Sequence, residues 1–223
     1  MSKSFIIVSC LLLVVSLTSC AKTVTQVNFG STMLVTVTLR GNADIANNRY
    51  FMVLSADQNF KAPLPPLENS GYYEFLDLAS NTLPVDNSHP LADYYANFFT
   101  TWAGYVKLDT SGYAAVPGPF TSSLEAIPGA TSITGTGLGT NTLSFNFQLT
   151  QIFATVPSTV YFDVITVPWT AGQQKIPADH INASNLSIAT LSGSTTGTIT
   201  DLTDYGVSSD PSLDILNCKV TVQ

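Results

Sequence analysis

Histidine occurs twice in 223 residues, cysteine three times, and lysine plus arginine eight times. Each scarcity closes off a class of function. Eight basic residues against 15 acidic ones give a formal charge of −7. A phosphate backbone needs a basic face, so this balance argues against a nucleic-acid partner. Two histidines and a scatter of cysteines do not make a zinc-type cluster. Charged residues are only 10% of the chain and apolar ones 45%, the reverse of a disordered composition. The length allows one domain, two at most.

The start of the chain, MSKSFIIVSCLLLVVSLTSC, has one positive charge at Lys3 and an apolar run from Phe5 to Val15. The run is about 11 residues, or about 16 Å as helix. That falls short of the ~20 residues a spanning helix needs. A basic start, a short apolar stretch and then small residues form the layout of a secretory signal.

The run Leu17-Thr18-Ser19-Cys20 resembles the lipobox of bacterial lipoproteins. That resemblance implies a diacylglycerol on Cys20 Sγ, cleavage before Cys20, and a freed amine that offers a second acylation point. Two or more chains anchor a protein stably where one does so marginally. Residues 1–19 then form the signal peptide, and residues 20–31 an acylated cysteine with a short, small-residue tether. Ala21, in place of Asp, resembles the pattern of Gram-negative lipoproteins sent to the outer membrane. The location expected is the bacterial cell envelope. The body of the chain resembles no family of known function.

Processing would remove Cys10 and modify Cys20, leaving Cys218 without a disulfide partner. Loss of Lys3 leaves 7 basic and 15 acidic residues, a formal charge of −8. The folded body would therefore not adhere to anionic lipid by charge, and the membrane is a partner only through Cys20. About 200 residues can bury roughly 70% of their unfolded surface, enough for a monomeric body without staples.

From Met33 the period is two. Val35, Val37 and Leu39 share one face and Thr36, Thr38 and Arg40 the other. Arg49–Ser55 and Ser158–Val167 are apolar on both faces, as central strands are. Tyr105–Leu108 and Tyr113–Val116 read as a hairpin with a four-residue loop, Asp109–Gly112. Residues 121–142 read as a Thr/Ser/Gly loop. Leu143, Phe145, Phe147 and Leu149 alternate with polar residues. Leu186–Leu191 and Thr195–Thr200 are weaker strands. Ile215–Val222 closes the chain, with Leu216, Cys218, Val220 and Val222 on one face.

Short strands separated by Gly, Pro and Asn, without helix–strand alternation, predict an all-β fold. The expected fold is a single antiparallel β-sandwich of immunoglobulin or fibronectin style over residues 32–223. Aromatics from Tyr94 to Tyr105 recur at three and four, so a short helix is expected over about 90–103, against one end of the sandwich.

Candidate sites are few. His89 lies near Asp86 and His180 beside Asp179, but no G-x-S-x-G elbow accompanies either pair. Both read as solvated loop histidines. Asp201, Asp204 and Asp210, with Asp214, crowd one acidic segment that could hold calcium or be a solvated turn. Trp102 and Trp169 are the candidate ligand-binding rings, since an exposed aromatic can serve as a platform for sugars. At helical spacing the band containing Trp102 reads more readily as core. Glu68, Glu74 and Glu125 form no recognisable glycosidase pair. No cofactor is implied. Three readings follow: a lipid-anchored, non-catalytic structural or binding module, a glycan- or peptide-binding surface protein, and a hydrolase with an unrecognised site.

Overall fold

A strand with one apolar face needs a second apolar face to cover it. The computed structural model meets this need with two antiparallel sheets. It describes residues 29–66, 73–80, 91–120, 128–184, 186–202 and 210–223. Cys20, Glu68, Asp86, His89, Glu125 and Asp204 lie outside the described residues.

The first sheet contains β1 (Thr32–Leu39), β6 (Thr134–Thr136), β7 (Thr142–Gln148), β11 (Thr195–Thr200) and β12 (Ile215–Val222), in the order β11-β12-β1-β7-β6. The second contains β2 (Asn48–Ser55), β3 (Gly104–Asp109), β4 (Gly112–Pro117), β5 (Thr131–Ser132), β8 (Thr159–Pro168), β9 (Asp179–His180) and β10 (Ser187–Ala189). Its order is β10-β8-β2-β3-β4-β5, with β9 also on β8. The fold is the expected all-β sandwich. Val35, Val37, Leu39, Leu143, Phe145, Phe147, Cys218 and Val220 from the first sheet meet Met52, Leu54, Val106, Leu108, Phe162 and Val164 from the second. Each large apolar side chain buried this way contributes roughly 1.5–3 kcal/mol.

The second sheet is buried on both faces, which explains why β2 and β8 alternate so little. Its outer face carries a second core, in which Phe51, Val53, Tyr105, Ile165 and Val167 lie under Phe75, Leu76, Tyr94, Tyr95, Phe98, Phe99, Trp102 and Phe120. The rings pack edge-on and offset, with Phe51 4.1 Å from Phe75 and Phe99 4.7 Å from Trp102 between centroids. The helix α1 (Leu91–Asn97) belongs to this layer. It covers a sheet face and not a sandwich end, and it is shorter than the expected 90–103. Residues Phe99–Thr101 form a 3-10 turn, and Trp102 is already extended. The reason is that the Ala103 amide donates to Leu54 O at 2.8 Å, so the chain must leave the helix to join β3.

An ionic network also ties this layer to the sheet. Lys107 Nζ donates to Asp77 Oδ2 at 2.8 Å and lies 2.9 Å from Asp109 Oδ2. The Tyr105 hydroxyl donates to Asp77 Oδ1 at 2.8 Å. Lys107 is buried among apolar neighbours on β3, and such a charge persists there only because it is paired.

Three local expectations are corrected. The hairpin loop is two residues, Thr110-Ser111, because Asp109 pairs with Gly112. Gly112 adopts φ +98°, a conformation costly for residues with a Cβ. Within the expected 121–142 loop, Thr131–Ser132 and Thr134–Thr136 are short edge strands. Gly135 lets the Tyr113 ring lie on β6, where a Cβ would come within 2.2 Å of it. Leu216 is 41% exposed, because Thr38 pairs with Asn217 but Leu39 with Ile215. That bulge moves Ile215 into the core and turns Leu216 outward.

Cys218 is fully buried, and desolvation pushes its thiol up to about 12. We expect no maleimide adduct at Cys218 in the native protein and stoichiometric labelling in guanidinium, read by intact mass. Labelling under native conditions would contradict the packing of β12.

Candidate functional site

The outer edge of β8 is covered by β9 and β10, between which the chain bows away. Ile165 pairs with His180, and Tyr161 pairs with Ser187. Asp163 faces the outer side of the sheet with Ile165 and Val167. Its Oδ2 lies 3.0 Å from His180 Nδ1. Both residues are buried. His180 is thus not the solvated loop residue expected from its polar neighbours. The strand that holds it, β9, is two residues long and too brief for any periodicity, and the alternation of Asp163 with apolar residues was the only signal of a partner.

The pair forms part of the wall of a pocket of about 300 Å³, lined also by Phe60, Lys61, Ala62, Leu64 and Phe98. Phe60 separates it from a second hollow of about 420 Å³ along Tyr161, Ala183, Ser184 and Ser187. Prolines at 63 and 65 keep this wall out of any sheet, while Trp102 Nε1 and the Lys61 amide fix it through Lys61 O and Thr101 Oγ1. The described lining of the His180 pocket contains no serine, threonine or cysteine. Its chemistry is that of two aromatic rings, one lysine and a carboxylate-oriented imidazole.

Asp179, next to His180, does different work. It is 5% exposed. Its Oδ2 accepts the Ile215 amide at 2.7 Å and its Oδ1 the His180 amide at 2.9 Å, so one carboxylate joins β9 to β12 in the opposite sheet. Burial pushes its pKa from 3.8 up to about 7, against the lowering effect of those amides. A raised carboxyl pKa means the folded state holds a proton that the unfolded chain has released. This contribution therefore favours folding at low pH and is lost as pH rises from about 4 through about 7. We expect Asp179→Asn to reduce the fall in stability between pH 5 and pH 8, on the order of 2 kcal/mol by urea titration. Identical pH profiles for the two proteins would contradict this.

The remaining candidates separate. Trp102 is only 4% exposed and lies inside the aromatic layer, so it offers no ring face to a ligand. Trp169 is half-buried, 5.9 Å from the Phe51 ring, with the Arg49 guanidinium 6.0 Å and the Lys175 ammonium 5.6 Å from its centroid. Asp210 caps the 3-10 turn Pro211–Leu213, accepting the Ser212 amide at 2.9 Å and Asn48 Nδ2 at 3.0 Å. Asp201 accepts the Asn182 amide at 2.9 Å. Among the described residues, no group of three or more His, Cys, Asp or Glu is placed to hold a metal ion.

In comparisons with known proteins, the chain matches no family model, no curated protein and no solved structure.

Proposed function

We propose that this chain is a lipid-anchored protein of the bacterial cell envelope, with a non-catalytic β-sandwich that serves as a binding module. The observation that carries the reading is the run Leu17-Thr18-Ser19-Cys20 behind an apolar stretch too short to span a bilayer. One further feature supports it. The acidic body has no basic face with which to grip anionic lipid, so attachment falls to the acyl groups.

The binding role draws on the pocket at His180. Its rings and cationic edge suit recognition. The Asp163–His180 pair also favours a second reading, hydrolysis, since a carboxylate-held imidazole is half of a nucleophile-activating relay. Binding is preferred because the described lining sets two aromatic rings and a lysine beside that imidazole, a combination suited to holding a ligand.

Phase separation in detergent tests the anchor. The native product is expected in the detergent phase and to stay with membranes through an alkaline carbonate wash. Release into plain buffer would overturn the reading.

A further inference from the structure

The two ends of the sandwich differ in chemistry. At one end β1 and β11 begin, and β7, β10 and β12 stop. Here the described chain starts, with Phe29 bridged to Leu191. The Gly30 amide donates to Thr190 O at 2.9 Å, and the Ser31 amide to Gln223 O at 2.7 Å. Phe29 is 64% exposed and Leu191 40%. They form an apolar pair in the open. Three described loops at this end, 149–158, 190–194 and 56–61, contain two ionisable side chains, Asp57 and Lys61.

The opposite end carries the charge. Arg40, Asp44, Asp109, Asp201, Asp210 and Asp214 lie there, on or beside the turns that follow β1, β3 and β11 and precede β12. Among the described residues, this carboxylate-rich end is the one remote from Phe29. Cys20 lies only nine positions before Phe29 in the sequence, so any chain attached there meets the body at the end that carries the exposed Phe29–Leu191 pair.

We infer that Phe29 and Leu191 seat this end of the sandwich on the bilayer that holds the acyl groups, with the acidic end pointing away. The inference rests on the proposed acylation of Cys20. Two exposed apolar side chains are too few to bind a membrane alone. Beside a lipid anchor they act at high local concentration. An anionic leaflet repels the carboxylate-rich end, so the same surface charge that would defeat free adsorption fixes the orientation once the chain is anchored.

The test uses the full acylated protein in vesicles of phosphatidylethanolamine and phosphatidylglycerol carrying nitroxide-labelled acyl chains. An environment-sensitive fluorophore is placed at Ser192→Cys, beside Leu191, or at Asn42→Cys, at the acidic end. Both positions are exposed, and buried Cys218 stays unlabelled. The fluorophore at 192 is expected to be quenched severalfold more than that at 42. Phe29→Ser with Leu191→Ser should remove the difference while the protein remains acylated and vesicle-bound. Equal quenching at the two positions in an acylated, retained protein would overturn the orientation and leave the anchor standing. A protein with an unmodified Cys20 by mass, found free of vesicles, would remove the anchor and the orientation together.

Discussion

Lys107→Ala is expected to destabilise the fold by about 3 kcal/mol, the low end of what removal of one partner from a buried ion pair costs. The loss comes less from the missing attraction than from what remains. The Asp77 carboxylate, buried under Phe75 and Leu76, would keep the hydrogen bond from Tyr105 but lose its countercharge. Asp77→Asn should cost less, since the amide can still bond Tyr105. The double variant should lose clearly less than the sum, because the two sites share one interaction. Urea midpoints would measure the cycle. Near-ultraviolet circular dichroism should weaken in step, since the network secures the aromatic layer to the sheet. A single-variant loss within about 0.5 kcal/mol, the size of an ordinary surface substitution, would show that the layer is held by its rings alone.

Cys20→Ala is expected to be all-or-none. Without the thiol no thioether to diacylglycerol forms, and an unlipidated precursor should accumulate with residues 1–19 attached. Incorporation of labelled palmitate should fall to background, and anchoring by acyl burial, worth ~0.8 kcal/mol per CH₂, disappears with it. The body should nonetheless be mainly β by circular dichroism, since no described core residue depends on Cys20. Labelling equal to that of the unmodified sequence would place the lipid elsewhere or nowhere.

How much of this was legible in the residues depended on periodicity. β11 and β12 coincide with Thr195–Thr200 and Ile215–Val222 as read, and β1, β2, β7 and β8 begin or end within a few residues of expectation. Their alternation or their two-sided apolarity is a direct consequence of which faces are covered. Two-sided apolarity in β2 and β8 also implied a second buried face. The helical spacing of Tyr94, Phe98 and Trp102 pointed to a short helix but placed it at a sandwich end and not over that face, because spacing within an element carries no information about its partner.

What escaped the sequence was short or non-local. β5, β6 and β9 are two or three residues long, too brief to show a period. The bulge that exposes Leu216 depends on the register of β1 against β12, a pairing between opposite ends of the chain. The Asp163–His180 and Lys107–Asp77 contacts join residues 17 and 30 positions apart. His180 taken alone read as a solvated loop residue, and only the fold brings each of these residues to its partner.

The acyl anchor is tested most directly by mass spectrometry of the amino-terminal peptide from native, membrane-extracted protein. The expected result is a peptide that begins at Cys20 and carries the mass of a diacylglyceryl thioether. A peptide that retains residues 1–19, or one that begins elsewhere with no lipid on Cys20, would contradict it.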